Sequence, residues 1–443
     1  MIKKKFFITT VVVSSMCLLG ACGRVGSETL PSAQNEALPS IQEDNNRAEM
    51  EEMEEIENTT QISQEYGQED GNMDAKVADF SYDLLGFHAQ DKNPVLSPVS
   101  AYLALSMAGC GAEGATKDEF DNVLGKDMME LATDMMNTFP SKSDVLKLSI
   151  ANSAWIDDEF TVNDAWMDTI QSQMDAEPYQ ADLSTEETMN HINDWIDEKT
   201  NGMIDKMLME PLEDRTRLAL FNTVYFKGKW EIPFEASDTY KEDFYLQRGQ
   251  EETEQVDMMN MYAADLDYIA NDFAEGVVLP YQNDGNQNMA FIALKPIGDT
   301  DVRDVYSKLT RKVMQDMLVN KQTALVNLKL PKFEITFDKN LTECLKNMGL
   351  SECFDEAKAN FDQIGKTKSG DNLYIGLVRQ KAKIIVDEEG TEAAAVTEVL
   401  MMCGAALEPE EPKELYFNEP FIYMIMDTDN QIPLFIGILD NPA

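Results

Sequence analysis

Residues 391–401 constrain the fold of this 443-residue chain more than any other stretch, because they carry the pattern of a strand that can be buried. Successive side chains of a strand point to opposite faces. One face then holds Thr391, Ala393, Ala395, Thr397, Val399 and Met401, all small or apolar and none charged. The other holds Glu392, Ala394, Val396, Glu398 and Leu400, so both charges lie there. Such a strand suits a sheet over a core in one register, since a slip of one residue would bury both glutamates. The flanks say the opposite. Glu408, Pro409, Glu410, Glu411 and Pro412 read as extended and solvated, because prolines disfavour helices and inner strands. Cys403, Gly404, Ala405 and Ala406, just before them, are small and open. A stretch placed for exposure but patterned for burial is what a conformational switch looks like in sequence. Ala and Glu also form helices readily, so a surface helix or a hairpin arm is the competing reading.

The rest of the chain supplies a body for that segment. From Met73 to Ala443 the composition is globular. Helical periodicity covers residues 77–87, 99–108, 117–124, 166–174 and 189–199. Strand-like runs follow at 219–226, 277–280, 289–294, 326–330, 382–386, 421–427 and 434–439. Helices concentrated early and strands late, with no internal repeat or second linker, predict one mixed α/β domain of about 370 residues and not a doubly wound parallel sheet.

Ahead of this domain, residues 1–21 read as an export signal. Lys3, Lys4 and Lys5 give a positive start, and the apolar run from Phe6 to Leu19 is shorter than the ~20 residues of a membrane span. Leu19, Gly20, Ala21 and Cys22 resemble a bacterial lipobox, in which the cysteine is acylated and becomes the new N-terminus. An ordinary signal peptide with Cys22 there by chance is the alternative. Residues 22–74 are rich in Glu, Gln, Asn, Ser and Thr, and cannot bury enough surface to offset ordering entropy, so they are expected to form a disordered acidic stalk. These readings put the protein in the cell envelope, held to a membrane by the lipid (palmitate) on Cys22 and facing the extracytoplasmic side or the cell surface. With 81 acidic against 36 basic side chains, a formal charge of −45, the surface repels phosphate backbones and makes nucleic acid a poor partner.

Catalytic chemistry finds little support. The chain has two histidines, His88 and His191, both in amphipathic stretches far from any Ser or Cys motif and expected on solvated helix faces. No metal-ligand spacing is present, and no cofactor is expected. Gly109, Gly111 and Gly114 match a dinucleotide-binding pattern, but they follow a helical stretch where that pattern requires a strand, so they are expected to end the helix. Cys344 and Cys353 are expected to be separate buried thiols.

Several blocks, in order, carry a family resemblance. Glu388, Glu389, Gly390, Thr391, Glu392, Ala393, Ala394 and Ala395 resemble the hinge of inhibitory serpins. The run from Asn93 to Ser100 is similar to the start of that family's second helix, and the run from Asn222 to Trp230, continued by Pro233 and Phe234, to its most recognisable strand. Matching segments follow from Leu330 to Phe333, from Phe417 to Phe421 and from Pro433 to Gly437, so the resemblance spans about residues 75 to 443. It implies a serpin fold of three β-sheets and about nine helices, with an exposed, metastable reactive-centre loop at about 388–412. It also implies a serine protease inhibitor, not an enzyme. A target protease would cut the loop and form an acyl-enzyme, and the loop would insert as a central strand. The resemblance gives Gly390 and Thr391 the hinge, and Ala393, Ala394 and Ala395 the small residues that permit insertion. Ser97, Ser100 and Asn222 match a polar cluster under the sheet, Trp230 the residue where insertion begins, and Glu388 with Lys332 a salt bridge beside the hinge. Two positions depart from the pattern. Gln380 stands where many members place a histidine, which puts pH-dependent switching there in doubt, and Val396 is bulkier than usual.

Counted from Gly390 as inhibitory members space it, the resemblance implies a reactive bond at Gly404–Ala405, with Met402–Cys403 and Cys403–Gly404 as alternatives. Between Lys383 and Lys413 there is no Lys or Arg, so trypsin-like enzymes are poor targets. Elastase-like or subtilisin-like serine proteases are the expected partners of a monomeric inhibitor, and a papain-like cysteine protease is a further option. The competing functions are a non-inhibitory binding lipoprotein of the same fold and a solute-binding lipoprotein.

Overall fold

The computed structural model describes residues 73–391 and 411–443, apart from positions 250, 284, 286, 287, 369 and 371. The export signal, Cys22, nearly all of the stalk, Ala393, Ala394, Ala395 and the candidate bonds among Met402, Cys403, Gly404 and Ala405 lie outside the described residues. In chain order the helices are α1 (Met73–Gly86), α2 (Pro98–Gly109), α3 (Gly114–Leu124), α4 (Met128–Thr138), α5 (Asp164–Met174), α6 (Glu186–Lys199), α7 (Val302–Ser307), α8 (Arg311–Val319) and α9 (Thr342–Asn347). The strands are β1 (Val95–Leu96), β2 (Ser141–Lys142), β3 (Leu146–Ile156), β4 (Phe160–Val162), β5 (Ala176–Gln180), β6 (Leu218–Lys229), β7 (Thr239–Tyr245), β8 (Thr253–Ala270) and β9 (Ala274–Pro280). They continue as β10 (Met289–Pro296), β11 (Gln322–Pro331), β12 (Phe333–Asn340), β13 (Gly365–Thr367), β14 (Arg379–Val386), β15 (Gly390–Thr391), β16 (Lys413–Tyr416), β17 (Phe421–Asp427) and β18 (Ile432–Leu439).

Among the described residues these nine helices and three sheets are the mixed α/β architecture expected from the sequence. A nine-stranded sheet runs β1-β18-β17-β10-β9-β8-β11-β16, with β7 beside β8. Every residue of β17 and β18 is buried, which is why both read as continuous apolar runs without alternation. Helix α2 packs against β6 and β18 and is buried on nearly all sides. It begins at Ser97 as N-cap with Pro98 in the first turn, where a missing N–H costs nothing. It ends at Gly109, where a Cβ would lie 2.9 Å from Phe120. At Gly111 a Cβ would lie 2.2 Å from Ile364, so these glycines serve close packing.

The second sheet has seven strands in the order β12-β14-β15-β6-β3-β2, with β5 paired to β3. Strand β6 pairs along β3 from Leu218 to Gly228, and β14 pairs along β12 from Arg379 to Val386. Among the described residues only β15 stands between them, two residues long and antiparallel to both neighbours. Strands β6 and β14 therefore run parallel to each other, and among the described residues no ladder pairs them directly. A cavity of about 400 Å³ lies beyond β15, lined by both strands, by residues 372–378, by α2 beneath and by the end of α6 with the segment that follows it.

At the far edge of the nine-stranded sheet, β16 is four residues long and pairs in parallel with β11. The Asn327 side chain fastens it, accepting from the Ala263 amide of β8 at 2.9 Å and donating to Glu414 of β16 at 2.9 Å. Lys413 adds a cation–π contact, its Nζ 4.4 Å from the centre of the Tyr268 ring.

Two side-chain expectations meet different outcomes. His191 is exposed on α6, edge-on to Trp155 and Tyr179. His88 is not on a solvated helix face: it follows α1 in a turn, is 8% exposed, bonds Asp91 through Nδ1 at 2.9 Å and packs edge-on to Phe337. Phe87 and Ala89 flank it in sequence, and Phe337 of β12 packs against its ring. Cys110, Cys344 and Cys353 are free thiols, and burial pushes each up to about 12, leaving little nucleophilic thiolate.

Candidate functional site at the mouth of the sheet

The chain turns sharply between β14 and β15. The Asp387 carboxylate accepts from the amides of Glu389 (2.9 Å) and Gly390 (3.2 Å), and the Asp387 amide donates to the Gly390 carbonyl at 3.0 Å. This Asx turn sends the chain back along the sheet between β14 and β6. Gly390 meets Lys229, and Thr391 meets Gly228 on one side and Val386 on the other. A Cβ on Gly390 would fall 2.0 Å from the Gly228 carbonyl oxygen, so only glycine allows the two backbones this approach. Gly390 and Thr391, the first residues of the stretch read from the sequence as exposed, are thus buried in the sheet, Thr391 at 1% exposure.

Trp230, at the end of β6, is the anchor of this mouth. Its amide donates to the Glu389 carbonyl and its indole N–H to the Asp387 carbonyl, both at 2.9 Å. Tyr281 stacks on its indole with 4.7 Å between ring centres and 12° between planes. The Tyr281 hydroxyl meets Thr391 Oγ1 at 2.5 Å. Glu388 accepts from Lys332 at 2.7 Å and from Thr239 at 2.9 Å, tying the turn to the head of β12 and to β7. Burial pushes the Glu388 carboxyl up, but the bonds from Lys332 and Thr239 outweigh it and hold it below the usual glutamate range. At Asp387 burial wins and raises the carboxyl despite its two amide donors.

Deeper in, four of the residues singled out in sequence converge. Gln380 on β14 binds the backbone of Ser97 twice, donating to its carbonyl at 2.7 Å and accepting from its amide at 3.0 Å. Ser100 Oγ donates to the Asn222 carbonyl at 3.4 Å. The Asn222 side chain turns the other way and donates to Asn152 on β3 at 2.7 Å. Asn222 and Gln380, on opposite sides of the cavity, are thus each engaged elsewhere. Ser97 Oγ, Asn222 Oδ1 and Thr223 Oγ1 are buried with no hydrogen-bond partner among the described residues.

The mouth therefore unites Glu388, Gly390, Thr391, Trp230 and Lys332, and the floor unites Ser97, Ser100, Asn222 and Gln380. Sequence reasoning missed Tyr281, Thr239, Asp387 and Asn152. Asn152 does leave a signal, as a polar residue interrupting an apolar strand, whereas Tyr281 carries none of its own. Among the described residues no three His, Cys, Asp or Glu side chains gather as metal ligands.

Comparison with known proteins agrees on one family. A family model described as Serpin (serine protease inhibitor) matches residues 75–442. Iripin-1 of Ixodes ricinus is 31% identical over 371 residues, covering 78% of this chain and 88% of that protein. The native-state structure of the thermophilic serpin tengpin is similar at a TM-score of 0.75 and 32% identity, over 85% of this chain and 95% of that one. Its latent-state structure is similar at 0.71 and 30%, over 84% and 98%.

Proposed function

This chain belongs to the serpin family of serine protease inhibitors, and we propose that it traps its target as a suicide substrate. The observation that carries the reading is the placement of Gly390 and Thr391, both paired with β6 and Thr391 also with β14, at the head of a cavity whose flanking strands share no ladder among the described residues. Extending that register puts Glu392 opposite Lys227, Thr397 between Asn222 and Gln380, and Met401 opposite Leu218. Thr397 would then offer its hydroxyl to the polar floor where Asn222 Oδ1 lacks a donor. The uncharged face of the run would follow Thr391 toward the buried side.

In this mechanism the protease serine attacks the carbonyl of the reactive bond, at Gly404–Ala405 or one of the two bonds before it. An ester forms on the residue before the cut, and the amine of the next residue leaves. Freed from β16, the segment slides between β6 and β14 and carries the esterified protease with it. This is strand addition, of which serpin loop insertion is a recognised example. Each inserted residue gains ladder bonds worth a net ~0.5–1.5 kcal/mol apiece. The absence of Lys and Arg from residues 384–412 directs the inhibitor to elastase-like or subtilisin-like enzymes. Acylation of Cys22 would hold it on the extracytoplasmic side of a membrane, which labelling with palmitate before and after Cys22→Ser checks.

The test is a gel. An SDS-resistant complex with elastase, absent with trypsin, supports the reading. A chain that is simply cut, or ignored, refutes it and leaves a binding lipoprotein of the same fold. Thr391→Arg turns the inhibitor into a substrate, and unchanged inhibition by that variant counts against insertion.

A further inference from the structure

We propose that Tyr281 is the positioning residue that sets the register of insertion, by matching its hydroxyl to a hydroxyl side chain at position 391. The inference rests on the insertion reading above and adds to it a recognition step. Tyr281 follows β9, so it comes from the nine-stranded sheet, yet its ring reaches under β15 of the other sheet. It cannot turn freely. Trp230 stacks on one face, and the Phe226 ring meets it edge-on at 4.9 Å. Gly228 leaves the room it needs, since a Cβ there would stand 2.7 Å from the Tyr281 ring. Its backbone is held as well: the Tyr281 amide donates to Met289, and the next amide, of Gln282, to Lys229.

The hydroxyl of this fixed ring therefore sits at one point, and Thr391 Oγ1 is found there at 2.5 Å, with both side chains at least 97% buried. A phenol buried without a partner is costly, so the mouth favours a hydroxyl-bearing residue at that point. The neighbours of Thr391 cannot replace it. A slip of one residue would bring Gly390, with no side chain, or Glu392, with a charge, over the ring. The same slip would turn Glu392 and Glu398 of the following run to the buried face. Matching one hydroxyl pair at the start thus aligns every residue that follows.

The experiment is a double-mutant cycle on the full chain with Tyr281→Phe, Thr391→Val and both together. Two quantities are read: the rise in melting temperature when the loop is cut, and the ratio of cut chain to SDS-stable elastase complex. Each single variant is expected to raise that ratio about three- to tenfold, the range for one buried hydrogen bond. The double variant is expected to be no worse than the worse single, because the pair is removed together. Thr391→Ser, which keeps the hydroxyl, should lose less than Thr391→Val. Independent factors that multiply in the double variant, or singles without effect, overturn the role of Tyr281 while a cut wild-type chain that gains heat stability leaves insertion standing. A cut wild-type chain that gains none overturns both. The melting temperature of each intact variant separates a folding defect from a defect in register.

Discussion

Gly390→Ala probes the mouth of the sheet at its tightest point. The added Cβ would stand 2.0 Å from the Gly228 carbonyl oxygen and 3.0 Å from Lys229 Cα, both backbone atoms that no rotamer change can move aside. To restore an ordinary nonbonded separation, β15 must retreat by about 1.5 Å. That displacement breaks the ladder bonding of Gly390 and Thr391 to β6, the bond from the Trp230 amide to Glu389 and that from the Asp387 amide to Gly390. Three such bonds at ~0.5–1.5 kcal/mol each come to ~1.5–4.5 kcal/mol. That is about 10- to 1,500-fold in the population of the docked hinge, at tenfold per 1.4 kcal/mol. In the proposed mechanism cleavage by the protease does not depend on docking, whereas insertion proceeds from it. The variant should therefore partition to cut chain at the expense of complex by the same factor. Mixing it with elastase and reading both species on an SDS gel measures the partition directly. A variant whose intact form melts normally and which still partitions within about twofold of the wild type would show that the close approach of Gly390 to Gly228 carries no weight.

Three further perturbations test other contacts. Glu388→Gln removes the charge paired with Lys332; because the folded carboxyl lies below its ordinary 4.5, its contribution is complete above that pH and is lost as pH falls through the folded value. The gap in melting temperature between wild type and variant, worth about 1 kcal/mol at pH 7 with Lys332 partly solvated, should close under acid, and a constant gap counts against the pair. Gln380→His places an imidazole where Ser97 offers both a donor and an acceptor; protonation removes the acceptor, the folded pKa is depressed, and stability falls with pH below about 6.5 more steeply than in the wild type. Parallel melting curves would reject that. Asn327→Ala releases the clasp between β8, β11 and β16, so the intact inhibitor should lose activity several-fold faster on warming, and an unchanged half-life would show that the ladder of β16 suffices alone.

The alternation that opens at Thr391 was legible because its signal is local, one uncharged face, whereas the hinge role of Gly390 and Thr391 came by family likeness. The polar floor was legible only by family likeness, since Ser97, Asn222 and Gln380 are far apart in sequence and ordinary one by one. Tyr281 escaped notice because its role depends on the setting of two sheets across 110 residues of chain. Strand β8 was not expected either. Its 18 residues lose their alternation at the bulge where Ala263 takes a left-handed φ of 48°, so neither half reads as a long strand. His88 misled because it follows a helical stretch and nothing near it in sequence announces Phe337.

The facing edges of β6 and β14 carry one more consequence. Among the described residues no ladder joins them, and strand edges facing each other in this way suit any strand of matching pattern, whether it belongs to the same molecule or to the one beside it. At high local concentration, a neighbour's loop would make a head-to-tail link that need never close, the geometry of a filament. With its own Gly390 and Thr391 seated at the opening, each molecule stoppers itself against its neighbours.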